Sequence, residues 1–369
     1  MVCFLKDVVP EIWLNYGATD VVLDIKAENL EQKIEFDSQI LQDSEVSERL
    51  DTLDLTKPLD LVILSYTDAV KKTLRLIFEK CAQKSIPRPK IFADKQILNL
   101  VKTVLPSDGQ VLAFEGIESA NPDLVFVGEM EFDGLFGFDS VSTKLLRRFG
   151  KDQMLLAYEK RRGNLPNSGQ ETESMQIAKD FTNSFEISAI EIVASSKGIA
   201  DLSVGHPSKA LGISKTLATF VQKTDKHRTL LVSTGKDSSN YTLGKSLNSI
   251  WNCHHAIRDD GLAILLCECK GGIGSEAIRQ YLEGRMSIDR LQKPAKYVDG
   301  MEDLLYLTEI QKKIQIGLVS VLPEFYLKKL NLISFDGVKE TLDHVLKVQG
   351  GRQKVSIIPD GARILLGPN

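Results

Sequence analysis

The chain has 369 residues, of which 43% are hydrophobic and 26% charged, so its length suits two globular lobes better than a single core. Its formal net charge is −4 and its basic clusters are short, as at 160–162, where we expect a solvated face or loop, so nucleic-acid binding is not predicted. The sequence contains no run of about 18 apolar residues, no signal-peptide pattern and no Cys-x-x-Cys pair among its five cysteines, which predicts a soluble, cytoplasmic protein without a disulfide framework.

The first part of the chain alternates apolar runs with an amphipathic helix. Residues 12–16 and 21–25 flank Gly17 and predict two short strands. The acidic stretch 37–59 predicts a helix with loops. A helix is predicted at 70–85 because the apolar positions 70, 74, 77, 78 and 81 share one face. Further strands are predicted at 61–65, 91–93, 111–114 and 124–128.

The same alternation continues to the end of the chain. A turn-rich loop at 161–170 precedes a helix at 171–180, a strand at 189–194 and a helix at 208–223. Later strands are predicted at 229–233, 262–267, 316–320 and 355–359, and later helices at 243–257 and 275–282. Such alternation indicates parallel βαβ units. We therefore predict an α/β protein with two lobes, residues 1–220 and 221–369, mainly parallel sheets and a cleft between the lobes.

A glycine-rich turn follows the strand predicted at 262–267. Residues 268–276 read Glu-Cys-Lys-Gly-Gly-Ile-Gly-Ser-Glu and lead into the helix predicted at 275–282. Glycines let the backbone approach a ligand closely, and a helix start presents free N–H groups, so one interpretation is an anion site. The other is a tight strand-to-helix turn with Ser275 as the N-cap. The pattern matches neither a Walker loop nor a dinucleotide fingerprint.

Three carboxylates follow the strand predicted at 124–128. They are Glu129, Glu131 and Asp133, and they lie where an α/β sheet places its sites. Paired carboxylates can do acid–base work or bind a cation. Solvated loop acids are the alternative interpretation.

Histidines and cysteines offer one further combination. His254 and His255 are adjacent on a predicted helix and are expected to point in different directions. Cys267 and Cys269 are expected on one side of a strand, as two thiolate ligands would need. Buried cysteines are common in protein cores, however, and we predict no metal ligands.

Read in order, these pieces resemble the nickel-dependent lactate racemase family. Residues 14–17, 22–25 and 28–30 are similar to its opening hairpin, and 123–144 looks like its glycine-rich segment. The strongest similarity lies at 261–282. Other similar pieces lie at 163–164, 204–210, 319–323 and 358–361. The resemblance extends over almost the whole chain in consistent order, and it implies two α/β lobes with a site between them.

In that family a lysine holds a nickel-pincer nucleotide covalently, and a histidine helps to ligate the nickel. The cofactor accepts hydride from C2 of a 2-hydroxy acid, while two further histidines exchange a proton with the hydroxyl group. An arginine holds the substrate carboxylate. The resemblance implies Lys144 as the attachment lysine, with a one-residue insertion, and places Glu159 or Lys160 at the nickel-binding histidine.

The sequence departs from the family at most catalytic positions. Ala69, next to Asp68, stands where the family has its arginine, and Asp133 stands where it has a catalytic histidine. The family's His-Arg-Pro loop has no counterpart, and its substrate-side glutamine and lysine fall near Lys245 and Asn248. Aspartate titrates near about pH 4, far from the neutral value that suits reversible proton transfer. We therefore expect no lactate racemisation and no bound nickel-pincer nucleotide.

Two functions follow as alternatives. The first is a racemase or epimerase homologue acting on another 2-hydroxy acid or a sugar acid, and the second is a catalytically inactive ligand-binding or interaction protein with the racemase fold. The expected partner is a small-molecule anion or hydroxy acid, without nucleic acid or membrane, and no signal indicates an oligomeric state. Lys144 is expected to be unmodified and to make a partly exposed ion pair, with Asp133 and Asp139 as its neighbours. The candidate residues are Asp133 and Lys144 for catalysis, Lys144 and Glu159 for a cofactor, and Asp68, Lys245, Gly271, Gly272, Gly274 and Ser275 for a substrate or anion.

Overall fold

The computed structural model describes residues 11–54, 59–95, 97–103, 110–117 and 123–368. Outside these ranges lie residues 1–10 and 369, which belong to the two predicted lobes. Residues 55–58, which belong to the predicted segment 37–59, also lie outside them. The strands, in chain order, are β1 (Glu11–Tyr16), β2 (Thr19–Asp24), β3 (Leu30–Lys33), β4 (Asp60–Ile63), β5 (Lys90–Ala93), β6 (Val111–Ala113), β7 (Leu124–Glu129), β8 (Glu131–Asp133), β9 (Gly137–Asp139), β10 (Ser188–Ser195), β11 (Gly198–Gly205), β12 (Val221–Thr224), β13 (His227–Ser233), β14 (Ile257–Leu266), β15 (Gln315–Val319), β16 (Ile333–Phe335), β17 (Val355–Ile358) and β18 (Leu365–Pro368).

The helices connect these strands. The α-helices, in chain order, are α1 (Asp43–Leu50), α2 (Asp68–Gln83), α3 (Leu98–Lys102), α4 (Val141–Phe149), α5 (Asp152–Glu159), α6 (Glu173–Thr182), α7 (Ser214–Ala218), α8 (Leu243–Cys253), α9 (Glu276–Leu282), α10 (Met301–Ile310), α11 (Glu324–Lys329) and α12 (Val338–Gln349). Short 3-10 helices lie at Ala27–Asn29, Pro207–Ile213, Asp237–Asn240, His254–Ala256 and Ile288–Leu291. Among the described residues, no helix is long and apolar enough to cross a bilayer.

The first lobe is built on a sheet in which six described strands follow the order β11-β10-β7-β4-β5-β6. All neighbours pair in parallel except β10 and β11, which are antiparallel at the edge. The central strands β4 and β7 are buried almost throughout, because helices cover both faces of a parallel sheet. The carboxyl end of β7 brings Glu129 to the edge that faces the second lobe, where the guanidinium of Arg363 contacts it.

The second lobe has a parallel sheet in which six described strands follow the order β16-β15-β14-β13-β17-β3. The β1–β2 hairpin packs on one face of this sheet. Leu14 and Leu23 are fully buried there, whereas the cross-strand pair Trp13 and Val22 faces outward, as period-two alternation requires. The prediction of an α/β protein with two mainly parallel sheets is confirmed.

A buried histidine forms hydrogen bonds that connect β3 to its neighbours in the second sheet. His227 Nδ1 lies 2.9 Å from both Glu31 Oε2 and Ser356 Oγ, and the Ser356 hydroxyl donates to Glu31 at 2.9 Å. Residues 11–33 therefore pair and pack with the second sheet, although the predicted division assigned them to the first lobe. The division at residue 220 stays a prediction.

Most of the strand predictions on apolar runs are confirmed, including 61–65 as β4, 124–128 as β7 and 189–194 as β10. The helix predicted at 208–223 is wrong in its last part. The helical part consists of the 3-10 helix Pro207–Ile213 and α7, and it ends at Ala218. The strand β12 follows and pairs with β18. The residues Val221 and Thr224 at the ends of β12 are β-branched, and such side chains favour a strand over a helix.

Local chemistry explains how α4 is placed after the β8–β9 hairpin. Ser140 caps α4, and its side chain and that of Thr143 form a reciprocal capping box. Gly137 has φ +81°, and a Cβ there would overlap the carbonyl oxygen of Gln170, so only glycine fits the hairpin at this point. Together these features fix the direction in which Lys144 leaves the first turn of α4.

Candidate functional site

Charged side chains fill the contact between the two lobes. From the first lobe, β7, the β8–β9 hairpin and α4 contribute, and from the second lobe α8 packs on β8. Asn248 Nδ2 of α8 donates to the carbonyl of Phe132 at 2.8 Å. We call the ion-paired side chains at this contact the interlobe seam. Its members are Glu129, Glu131, Asp133, Asp139, Lys144, Arg147, Lys245, Glu302 and Arg363.

The ammonium group of Lys144 is fully engaged within the seam. Nζ donates to the carbonyl oxygens of Glu129 at 2.8 Å and Asp139 at 2.9 Å, and it lies 2.9 Å from Asp139 Oδ2. An ammonium has three donors, and each finds an acceptor here. The predicted ion pair with Asp139 is confirmed. The pair is largely enclosed by α4 and the hairpin, which leave the lysine side chain 11% exposed.

Lys245 approaches the same carboxylate from the second lobe. Its Nζ lies 3.7 Å from Asp139 Oδ2 and 4.0 Å from Glu131 Oε2, and its side chain is half-exposed. Burial alone would raise the pKa of Asp139, but the charges of Lys144 and Lys245 outweigh it and hold that pKa well below its usual range. For Glu131, burial dominates over Lys245 and raises the pKa. Asp139 is therefore the shared anion of the seam.

Arg147 binds a carboxylate from each lobe. Its Nη2 lies 2.8 Å from Asp133 Oδ2, and its Nη1 contacts the carboxylate of Glu302, which also accepts from the Tyr297 hydroxyl at 2.9 Å. The other oxygen of Asp133 accepts two backbone N–H groups of the hairpin turn at 2.7 and 2.8 Å. Asp133 pairs with Arg147, nearly one turn further along α4, and Lys144 pairs with Asp139.

Two buried glutamates border the start of α4. Glu129 Oε1 accepts from Arg363 Nε at 3.2 Å. Glu191 Oε1 accepts from the backbone N–H of Val141 at 2.7 Å, and its Oε2 has no hydrogen-bond partner within the described part of the chain. Burial raises the pKa of Glu191 to about 7, against the opposing charge of Lys144.

The sequence interpretation missed four of these residues, Arg147, Glu191, Glu302 and Arg363. For Glu191, Glu302 and Arg363 no local pattern distinguishes the side chain from a surface charge. Only Arg147 carried a usable signal, because an arginine pair at 147–148 follows a segment rich in carboxylates.

The predicted site residues Asp68 and Glu159 lie outside the seam. Asp68 is in the first turn of α2, exposed, and pairs with Lys71 at 2.7 Å. Glu159 ends α5, is exposed, and lines a surface cavity. Their assignments to a substrate and a cofactor stay predictions.

The glycine-rich turn closes onto the start of α8. The carbonyl oxygens of Gly272 and Ile273 accept the first two N–H groups of that helix at 3.0 and 2.9 Å. The N–H groups of Gly271 and Gly272 donate to the carbonyls of Tyr241 and Cys269 at 2.7 and 2.9 Å. Both glycine N–H groups therefore donate to acceptors inside the protein. The carbonyl oxygens of the turn accept N–H groups that the start of α8 would otherwise leave unpaired.

Ser275 caps the helix that follows the turn, since its Oγ accepts from the N–H of Ile278 at 3.3 Å. Gly274 has φ +67°, and a Cβ there would overlap Thr242. The tight-turn interpretation describes this geometry. The assignment of an anion to Gly271, Gly272, Gly274 and Ser275 stays a prediction.

Gly271→Ala should lower the free energy of unfolding by about 1–3 kcal/mol, which is typical of overpacking. The new Cβ would lie 2.5 Å from the Tyr241 ring and press the turn away from α8. Urea denaturation measures the effect. The matched control is Gly116→Ala, where no heavy atom lies within 4 Å of the new Cβ. Equal midpoints for the two variants would contradict the role of the turn as a cap.

Comparison with known proteins adds the fold relationship. No family model matches the sequence, and no curated protein matches it either. Among solved structures, the chain is similar to the lactate racemase apoprotein from Thermoanaerobacterium thermosaccharolyticum, with a TM-score of 0.70 and 15% identity over 97% of this chain and 100% of that chain. The chain has the fold of lactate racemase. A Thermotoga maritima protein is also similar, with a TM-score of 0.61 and 9% identity over 91% of this chain and 100% of that chain.

The lactate racemase fold raises the question of whether a nickel-pincer nucleotide fits this chain. Covalent attachment needs an available lysine amine, whereas the side-chain nitrogen of Lys144 is engaged by Asp139 and two carbonyl oxygens. Within the described ranges, no group of three or more His, Cys, Asp or Glu side chains could hold a metal ion. The residues present therefore do not fit this cofactor.

The cysteine pair of this chain is buried, whereas in the histidine pair His254 is half-buried and His255 is exposed. The ring centres of His254 and His255 lie 3.8 Å apart, with the ring planes tilted by 38°, in the 3-10 turn after α8, so the prediction that they point in different directions is wrong. Burial lowers the pKa of His254 to about 4. Cys267 and Cys269 are both buried and lie just beyond the end of β14, not on it as predicted.

Proposed function

We propose that this chain is a ligand-binding protein that uses the lactate racemase fold without the chemistry of lactate racemase. The observation that carries this proposal is the saturation of Lys144, whose three donors all have acceptors inside the protein. A protonated lysine beside a carboxylate is a poor nucleophile.

The rest of the seam supports the same function. Asp133 is occupied by Arg147 and by two backbone N–H groups, so it has little capacity to accept a proton from a substrate. Glu129 and Arg363 join the lobes in the same way. Charges that neutralise one another across an interface hold two lobes together but leave few groups to act on a hydroxy acid.

One observation favours the competing function, an isomerase acting on another 2-hydroxy acid or a sugar acid. Glu191 is buried beside Lys144, has an unpartnered oxygen and titrates near pH 7. Those are the properties of a general acid or base. The two functions therefore differ in what Glu191 does.

Purified protein, co-expressed with enzymes that make the pincer cofactor, should not interconvert D- and L-lactate or epimerise D-gluconate. Chiral chromatography measures both reactions, with Lys144→Ala as the control. Intact mass spectrometry should give the mass of the bare chain, and metal analysis should find no stoichiometric nickel.

Two outcomes would separate the functions. A covalent adduct on Lys144 together with nickel would overturn the proposal. Turnover of either acid that disappears in Glu191→Gln would establish the isomerase function instead.

A further inference from the structure

We infer that a cavity between the lobes, lined by residues 159–164 and 292–294, binds a sugar phosphate. The cavity has a volume of about 510 Å³ and is lined by Glu159, Arg161, Gly163, Asn164, Gln292, Lys293 and Pro294. Pockets for small ligands typically measure about 300–1,000 Å³. None of the seam residues lines it. This inference rests on the proposed binding function and names the class of ligand.

The two walls come from different lobes and are fixed to each other. One wall is the end of α5 and the loop after it, and the other is the segment after the 3-10 helix Ile288–Leu291. The buried Tyr158 hydroxyl donates to the Leu291 carbonyl at 2.7 Å, and Arg161 Nη2 donates to Gln292 Oε1 at 3.3 Å. A cavity with fixed walls loses little entropy when a ligand binds.

Arg161 is oriented before any ligand arrives. Its guanidinium lies 4.5 Å from the centre of the Tyr158 ring, and Nη1 donates to the Tyr158 carbonyl at 3.1 Å. It forms no ion pair with a carboxylate in the part of the chain that the structure describes, and its buried Nε has no hydrogen-bond partner there. A planar, pre-oriented guanidinium without a counter-ion suits a phosphate group.

The segments around the cavity carry more basic than acidic side chains although the chain carries a net charge of −4. Residues 159–164 contain three basic side chains against one acidic side chain, and residues 290–296 contain three basic and no acidic side chains. Only Lys160, paired with Glu173 at 3.4 Å, has a carboxylate partner among the described residues. The two segments are distant in the sequence, and the fold brings them to one site. Like charges gathered without counter-ions favour an anionic ligand.

The remaining lining residues define the rest of the ligand. Glu159 is an acceptor for hydroxyl groups, and Asn164 and Gln292 offer both donors and acceptors. A lining that combines the carboxylate of Glu159 with the cations of Arg161 and Lys293 selects a molecule that carries hydroxyl groups as well as an anion. Inorganic phosphate is an anion without a sugar's hydroxyl groups, and it is small for the volume of the cavity.

Isothermal titration calorimetry on the full chain tests the inference with three probes. D-ribose 5-phosphate should bind, inorganic phosphate should bind at least about tenfold more weakly, and D-ribose should not bind measurably. Arg161→Met and Lys293→Met should each weaken binding of ribose 5-phosphate by at least about tenfold, the usual effect of losing a charge-assisted hydrogen bond. Arg352→Met, which removes an exposed base elsewhere, should bind like the parent chain.

Several results would overturn the inference. The first is that folded protein does not bind ribose 5-phosphate, and the second is that Lys293→Met and Arg352→Met bind it with equal affinity. The third is that a single-stranded RNA oligomer binds more tightly than ribose 5-phosphate, which would indicate a nucleic-acid surface. Lys293 is exposed, so its variant tests the site even if loss of the Arg161 stacking impairs folding. A nickel adduct on Lys144 would refute the proposed function without affecting the binding of ribose 5-phosphate. Failure to bind ribose 5-phosphate would refute this inference and would not bear on the proposal that the chain lacks lactate racemase chemistry.

Discussion

Lys144→Met should lower the free energy of unfolding by about 3 kcal/mol. The substitution leaves Asp139 buried without its nearest counter-charge, and breaking a buried ion pair typically costs about 3–5 kcal/mol. We expect the lower end because Lys245 remains 3.7 Å from the same carboxylate. Urea denaturation at pH 7 measures the loss. This effect is larger than the one expected for a partly exposed pair.

Lys245→Met is the matched control. Its side chain is 54% exposed, so its loss should change the free energy of unfolding by only about 0–1 kcal/mol. Adding Asp139→Asn to Lys144→Met should restore part of the lost stability, since the unpaired charge is then gone. Equal losses for the two lysine variants would show that Lys144 is not the main partner of Asp139.

Glu191→Gln should remove a large part of the pH dependence of stability between about pH 5 and 8. The pKa of Glu191 is raised by burial from 4.5 to about 7. A group with a raised folded pKa contributes stability that is fully present below its unfolded pKa and is lost as the pH rises through the folded one. The difference corresponds to about 3 kcal/mol. Relative to the parent chain, the variant should therefore gain stability as the pH rises to 8.

Urea midpoints collected at several pH values test this expectation. Glu186→Gln on the exposed segment before β10 provides the control, and its pH profile should parallel that of the parent chain. If Glu191→Gln also parallels the parent chain across this range, the carboxyl group is not held neutral in the folded protein.

Much of the fold was predictable because buried parallel strands leave apolar runs in the sequence. Leu61, Val62 and Ile63 form such a run, and β4 lies there. The strand β3 was missed because its residues Leu30–Lys33 are mostly polar, and only pairing with β17 makes them a strand. Edge strands of this kind carry little apolar signal.

The candidate site was predictable only where its members are close in sequence. Lys144 and Asp139 lie on one continuous segment, so their pairing could be expected. Arg363 meets Glu129 across 234 positions, a contact that depends on how the two lobes pack. The same holds for Arg161 and Gln292, which line one cavity from different lobes.

The position of β3 in the second sheet has a consequence for how the protein is made. On the ribosome, the hairpin residues Leu14 and Leu23 emerge long before β17, a strand of the sheet against which they pack. The first lobe, built from residues between 43 and 205, can form its sheet while this early segment still lacks a partner. Closure of the second lobe is therefore a long-range event, which joins residues as far apart as Glu31 and Ser356, 325 positions from each other.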